Sequence, residues 1–287
     1  MNISIMTVSL PLDQETLVEI MQLVAEAEIA DKVDYTSLLS VKDLSVLATK
    51  GFCVIAYDDD SDRLVGVLTS TDRMATLDFE WSIVVLPSVR RLGIGERLVV
   101  ELGRNLEIRG AAADIAMMPD GSEGGKQLLR KFGYAYDFSE QTMVADAQKL
   151  ELESEVEVAL YTDEESEVVG ILVSAFGDTE EDTKEFIAFN TQTPNRRLMV
   201  AKLRGQVVGT FTVVDDGEKL WLTALSVHEN ARGKGIAGYL LNWSKNEASR
   251  IGKAAVYLDV EADNDQALLI YQKSGFTTVG NTHFYIK

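Results

Sequence analysis

Residues 227–241 read Val-His-Glu-Asn-Ala-Arg-Gly-Lys-Gly-Ile-Ala-Gly-Tyr-Leu-Leu, and residues 85–99 read Val-Leu-Pro-Ser-Val-Arg-Arg-Leu-Gly-Ile-Gly-Glu-Arg-Leu-Val. At an offset of 142, five positions coincide: Val85/Val227, Arg90/Arg232, Gly93/Gly235, Ile94/Ile236 and Leu98/Leu240. Lys131-Phe132-Gly133-Tyr134 falls opposite Lys273-Ser274-Gly275-Phe276 in the same register. Two stretches in one register read as an internal duplication, and a duplication governs every later fold inference. The chain has 287 residues, which suits two domains at roughly 100–200 residues each. The predicted domains are 1–148 and 149–287, joined near 148–154.

The patterns around the repeated stretch agree between the halves. In the first half, 52–58 and 63–71 read as a hairpin across the turn at 59–62, and 77–86 as a third strand. In the second half, 197–203, 206–214 and 220–227 repeat this order. Each third strand leads into the Arg/Gly segment. A helix follows, with its apolar stripe at Ile94, Leu98, Leu102 and Leu106 in one copy, and at Ile236, Leu240, Ala248 and Ile251 in the other. Then come an apolar strand (112–118; 254–260), a short helix and a last strand (134–144; 276–286). Helical stretches precede each hairpin, at 13–28 and 41–49, and at 164–176 and 179–189. The predicted class is α/β (α+β), with two domains that each hold a mixed, mostly antiparallel sheet flanked by helices.

Composition narrows the function classes. There is one cysteine, Cys53, within an apolar run, so no intrachain disulfide forms and the residue reads as a small buried hydrophobe. The two histidines, His228 and His283, are far apart, and no metal site is expected. No run of 18 apolar residues occurs and the first residues lack a signal-peptide pattern, so a cytoplasmic location without membrane association is expected. The net charge is −19, and neither half is basic, which argues against nucleic acid as a partner. An acidic surface favours solubility and attracts cationic ligands.

The segment Arg232-Gly233-Lys234-Gly235-Ile236-Ala237 follows a predicted strand and opens a predicted helix. A helix N-terminus offers unpaired N–H groups and the positive end of the dipole, which suits phosphate. Glycines let backbone approach the anion, and Arg232 and Lys234 add positive charge. A P-loop sequence is absent. Gly233-x-Gly235-x-x-Gly238 matches a dinucleotide fingerprint literally, yet its counterpart from Gly93 has no third glycine.

The segments Arg90-x-x-Gly93-x-Gly95 and Arg232-x-x-Gly235-x-Ala237 resemble motif A of the GNAT superfamily of N-acetyltransferases, [QR]-x-x-G-x-[GA]. The order of elements in each half is similar to that family, so the resemblance covers nearly the whole chain. It implies a sheet splayed in the middle, with acetyl-CoA in the splay as co-substrate and its pyrophosphate on the motif A amides. Arg90, Arg91, Gly93 and Gly95 in one copy, and Arg232, Gly233, Lys234, Gly235, Ile236 and Ala237 in the other, are the implied cofactor residues. Asn264 through Phe276 is similar to the family's N-x-x-A-x-x-x-Y-x-x-x-G-F. By that resemblance Asn264 contacts the pantetheine arm and Tyr271 protonates the leaving thiolate. Leu225, Ser226 and Val227 offer backbone groups to the pantetheine and the acyl carbonyl. A positioned acid helps a thiolate leave, and a fixed N–H helps an oxyanion develop.

The first copy departs from the pattern: at the offset, Ser122 faces Asn264 and Leu129 faces Tyr271. No general base stands out. Glu80 is a candidate in the first copy, with Leu222 at the offset position in the second. In the second copy Asp259 and Glu261, on the next strand, are the candidates, sharing a face by the two-residue period. The resulting expectation is an N-acetyltransferase acting on an amine of a small molecule or peptide, with a cationic acceptor favoured by the charge. A non-catalytic acyl-CoA sensor on the same fold, and a nicotinamide-dependent oxidoreductase, are the competing readings.

Overall fold

The computed structural model describes residues 2–47, 49–72 and 76–287. Packing divides the chain into two units, one of Met1–Ser139 with Thr282–Lys287, the other of Glu140–Asn281.

Unit 1 is built from β1 (Ile3–Ser9), α1 (Gln14–Asp31), α2 (Tyr35–Leu38), β2 (Lys50–Asp58), β3 (Arg63–Asp72), β4 (Asp78–Val85), α3 (Ile94–Arg109), β5 (Ala113–Pro119), α4 (Glu123–Lys131) and the start of β6 (Ala135–Asp146). Strands β1 to β4 pair antiparallel in chain order, and β4 runs parallel to β5. The sixth strand of unit 1 comes from the far end of the chain. In β12 (Thr277–Ile286), Thr282–Ile286 pair antiparallel with β5.

Unit 2 receives residues 140–146 of β6 and continues with β7 (Val156–Leu160), α5 (Glu165–Phe176), α6 (Glu180–Gln192), β8 (Arg196–Leu203), β9 (Gln206–Asp215), β10 (Leu220–Val227), α7 (Ile236–Arg250), β11 (Ala255–Glu261) and α8 (Asp265–Lys273). Strands β7 to β10 pair antiparallel, β10 runs parallel to β11, and β11 pairs antiparallel with β6 from Glu140 to Asp146. Each half of the chain thus lends its last strand segment to the sheet of the other.

Both sheets open in the middle. Strand β4 pairs with β5 only over Asp78–Trp81, and β10 with β11 only at Leu220 and Trp221. Beyond those residues the parallel neighbours part. In unit 2 side-chain alternation sorts two cores. Met199 and Ala201 join Phe211, Leu222, Leu240 and Leu258 beneath α7 and α8, while Leu198 and Val200 join Val168, Leu172 and Ile187 beneath α5 and α6. Burying each such leucine contributes about 2 kcal/mol.

The predicted helix at 41–49 is a single 3-10 turn, Val41–Asp43, followed by further i→i+3 turns; its residue 48 lies outside the described residues. The segment has to bury Leu39, Val41 and Leu44 within a few residues and still reach β2, which a helix stripe does not allow. Strands β1 and β7 escape the sequence reading. Their only signal is short runs of alternation, Ile3-Ser-Ile5 and Val156-Glu-Val158.

Candidate active site

In unit 2, β10 ends in a 3-10 turn, Glu229–Ala231, where His228 Nδ1 accepts from the Asn230 amide at 3.2 Å. The loop that follows is drawn tight by its own cations. Arg232 Nε donates to the Val227 carbonyl at 3.1 Å and Lys234 Nζ to that of Asn230 at 2.9 Å. Gly233 and Gly235 take left-handed backbone, φ 76° and 77°. A Cβ on either would meet nothing within 4 Å. The glycines therefore answer a conformational demand, and the space above them is open. Gly235 precedes α7 without any side-chain cap, and no acid lies in the first turn. The amides of Ile236, Ala237 and Gly238 precede the first intrahelical bond, from the Tyr239 amide to the Gly235 carbonyl. Uncapped amides, the helix dipole and two cations give this end of α7 a positive potential on an acidic chain. Gly238 also has open space where a Cβ would stand, so it does not serve the close helix packing required of the third dinucleotide glycine.

The strand before this loop is bulged. Leu222 faces Val213 and Val227 faces Gly209, so five steps along β10 match four along β9. The extra residue is absorbed between Thr223 and Ser226, with Ala224 in left-handed backbone at φ 51°. A bulge frees ladder groups and re-aims them. Here it lies where β10 has left β11, among Leu225, Ser226 and Val227. A Cβ at Gly209 would approach the Ser226 carbonyl to 2.8 Å, so the bulge relies on a glycine opposite.

Helix α8 completes the site. Asn264 is its N-cap, Oδ1 accepting from the Ala267 amide at 3.1 Å, which leaves its Nδ2 as the outward donor. Ala267, Leu268 and Tyr271 share one helix face. Tyr271 is half-buried against the same cluster that Leu225 and Val227 adjoin, its ring 6.2 Å from Phe276. Its hydroxyl makes no hydrogen bond among the described residues. Burial raises its pKa above the usual phenol range, so it stays protonated at neutral pH.

Unit 1 repeats the frame with different contents. Arg90 Nε donates to the Val85 carbonyl at 2.9 Å, Gly93 has φ 80°, and Arg91 adopts φ 66° where unit 2 has Gly233. The guanidinium of Arg90 is also clamped by Asp31 through contacts of 2.9 and 2.5 Å. The clamp holds the Asp31 carboxyl below the usual carboxylate range. Tyr35 donates to the same carboxylate, and burial together with that bond pushes its phenol up to about 12. Glu96 sits in the first turn of α3, beside Gly95, and pairs with Lys131 at 2.6 Å. A carboxylate there competes with any other anion for the helix end. Strand β4 carries no bulge: Glu80 faces Thr71 and Val85 faces Gly66, five steps against five. The opening between β4 and β5 holds a cavity of about 40 Å³, walled by Tyr35, Trp81, Met117, Met118 and Leu129. Ser122 caps α4 as Asn264 caps α8.

The bulge also corrects an equivalence. Glu80 faces Thr71 on β3, and the residue in that place in unit 2 is Trp221, facing Val214, rather than Leu222. One inserted residue shifts the register, and Leu222 turns into the core at the place held by Trp81 in unit 1. Asp259 and Glu261 do share one exposed face of β11, and Thr142 Oγ1 donates to Asp259 Oδ1 at 2.6 Å. Neither the bulge, nor Gly209, nor Thr142 carries a sequence signal. Cys53 is buried, and desolvation pushes its thiol up to about 12, which removes it as a nucleophile at neutral pH. Among the described residues no group of three or more His, Cys, Asp or Glu could hold a metal ion, and no helix is long and apolar enough to cross a membrane.

Comparison with known proteins agrees with this geometry. The model of the acetyltransferase (GNAT) family matches residues 17–134 and again 140–276. Among solved structures, a GCN5-related N-acetyltransferase from Sphaerobacter thermophilus is similar over 99% of this chain and 95% of its own, with a TM-score of 0.76 and 19% identity. A tandem GNAT protein from the clavulanic acid biosynthesis pathway is similar over 99% and 98%, with a TM-score of 0.70 and 16% identity. An acetyltransferase from Colwellia psychrerythraea follows at 99% and 100%, 0.61 and 16%. At such identities the structures speak for the fold alone, whereas the two family matches take in most of the sequence: the chain belongs to the GNAT acetyltransferase family, with one copy of the domain in each half.

Proposed function

We propose that unit 2 transfers the acetyl group of acetyl-CoA to an amine by direct attack, and that unit 1 is a closed copy without a CoA site. The observation that carries this is the contrast at matched positions. Unit 2 has the bulged β10, the uncapped α7 with Arg232 and Lys234, and Tyr271. Unit 1 has a straight β4, Arg90 clamped by Asp31, Glu96 at the helix end, and Leu129.

In this reading the pyrophosphate lies on the amides after Gly235, and Asn264 Nδ2 meets the pantetheine arm. Backbone freed by the bulge binds the thioester carbonyl and strengthens its hold as the oxygen gains charge. The amine nitrogen forms a bond to the acyl carbon, and the carbon–sulfur bond breaks. Tyr271 gives its proton to the departing thiolate and is reprotonated from the new amide nitrogen through solvent. The products are the N-acetyl amide and CoA. The acceptor is an amine of a small molecule or peptide.

Calorimetric titration of acetyl-CoA tests the reading. The wild type is expected to bind one equivalent. The double variant Arg232→Ala/Gly235→Glu is expected to bind none, because it adds a carboxylate and a strained backbone at the anion site. Arg90→Ala/Gly93→Glu is expected to leave stoichiometry unchanged. Binding lost in the unit 1 variant alone, or no binding by the wild type, would refute the assignment.

A further inference from the structure

Lys245, on α7, is 5% exposed, so its ammonium group lies beneath the surface of unit 2. Its Nζ donates to the Ser274 carbonyl at 2.8 Å and has no other partner among the described residues. An ammonium has three hydrogens to place, and burial of this one lowers its pKa below the usual lysine range. The acceptor belongs to the C-cap of α8, at the negative end of that helix dipole. A lysine commonly serves the end of its own helix, whereas this one reaches across from a neighbouring helix.

Ser274 closes the turn that holds Tyr271. Its amide donates to the carbonyls of Ile270 and Tyr271, each at 3.0 Å, and the Phe276 amide donates to that of Tyr271 at 3.0 Å. No hydrogen bond among the described residues steadies the Tyr271 hydroxyl, so its aim depends on how this turn is held. Unit 1 closes the same turn with the same bonds. There the Phe132 amide donates to the carbonyls of Leu128 and Leu129, at 3.2 and 3.1 Å, and the Tyr134 amide to that of Leu129 at 3.0 Å. At the repeat offset, Gly103 stands in the place of Lys245 and Leu129 in that of Tyr271. Gly103 has open space where a Cβ would stand. The turn thus forms without the pin, and the pin belongs to the copy that has the phenol.

Building on the acetyl-transfer reading of unit 2, we propose that Lys245 is a positioning residue for that reaction: its bond to the Ser274 carbonyl fixes the last turn of α8 against α7 and so holds the Tyr271 hydroxyl at the sulfur. The pin joins two helices with different tasks. Helix α7 opens with Gly235 and follows the loop of Arg232 and Lys234, while α8 carries the acid. A fixed spacing between them keeps the cofactor's phosphates and the proton for its sulfur in one frame. The phenol must stand within hydrogen-bond reach of the sulfur, so a displacement of about 1 Å costs rate rather than binding.

The test follows the Tyr271 ring itself. The chain has nine tyrosines, and in protein carrying ring-13C tyrosine the Tyr271 signal is assigned by its loss in Tyr271→Phe. Lys245→Met keeps the stem and removes the ammonium. In it that one signal is expected to broaden or split, the remaining signals to stay, and the melting temperature not to fall. Acetyl-CoA should bind with unchanged Kd, and thiol release from acetyl-CoA, with water as the acceptor, should slow about tenfold. In a Tyr271→Phe background the same change should slow release no further, because the residue it positions is gone. Lys245→Arg, which keeps N–H donors, should restore a single Tyr271 signal. An unshifted Tyr271 signal in Lys245→Met, or an equal loss of rate in both backgrounds, would overturn the proposal and leave Tyr271 as the acid. Full release by Tyr271→Phe would remove the acid and the proposal with it. A wild type that binds no acetyl-CoA would remove the acetyl-transfer reading itself.

Discussion

Tyr271 and Leu129 occupy one position in two copies of one motif, a phenol in the second and a branched alkyl chain in the first, so only the second has a proton to offer. Tyr271→Phe removes only the oxygen, so the fold and the acetyl-CoA Kd should hold while kcat falls by about 100-fold in a thiol-release assay. Unchanged kcat would assign the leaving-group proton to water. A second residue, Glu164, tests the acid limit of the fold. Burial would raise its pKa, but Lys202 at 2.6 Å and the amides of Thr162 and Asp163 outweigh that and draw it down to about 2 from 4.5. A carboxyl depressed in the folded state adds stability that is full above its unfolded value. That stability is lost as pH falls from about 4.5 toward about 2. Glu164→Gln should therefore be less stable than the wild type at pH 7, with a gap that closes by pH 2. Thermal melts across that range read the difference, and a gap that persists at pH 2 would point to packing instead.

At the scale of elements, the bulge of β10 and the capped start of α8 decide what unit 2 can hold. Gly209→Ala sets a Cβ against the Ser226 carbonyl and should push the bulge out of register, weakening acetyl-CoA binding at least tenfold by calorimetry. Gly66→Ala, the matched change in unit 1, meets side chains rather than backbone, those of Ile94 and Leu98 at 3.2 Å and Val85 at 3.5 Å. It should lower the melting temperature and leave binding alone. Asn264 carries two jobs that two substitutions separate. Asn264→Ala loses the cap at about 1 kcal/mol, whereas Asn264→Asp keeps the cap and loses the Nδ2 donor. Equal melting temperatures with weaker acetyl-CoA binding in Asn264→Asp would show that the donor reaches the ligand. The start of α7 was legible in sequence because Gly235 and the apolar stripe from Ile236 are local signals. The bulge was not, because it is a mismatch between two strands and neither strand shows it alone.

At the scale of the whole molecule, the exchange of last strand segments ties the halves together. Thr282–Ile286 complete the sheet of unit 1, and Glu140–Asp146 complete that of unit 2. Cutting at the repeat boundary gives 1–148, which lacks the strand beside β5, and 149–287, which lacks the strand beside β11. Each fragment exposes an open sheet edge, and open edges aggregate. Expressed alone, both are expected to be insoluble or unfolded by circular dichroism, and co-expression should rescue them as a complex. Two soluble, folded fragments would mean that the exchanged strands are dispensable.

The sequence by itself determined the duplication, the order of elements from each hairpin onward and the glycine-marked start of α7, because these rest on periodicity and on glycines needed within a few residues of chain. It also marked Asn264 and Tyr271, through a resemblance that spans one short helix. Only the tertiary structure decided that Asp31 reaches Arg90, that Trp81, Met118 and Leu129 crowd the first opening, and that Thr142 meets Asp259 across 117 positions of chain. It likewise decided which residue stands where Glu80 does, since one inserted residue in β10 moves every side chain before it to the next register position. Such contacts join residues distant in sequence, and no local pattern encodes which distant partner a side chain will meet.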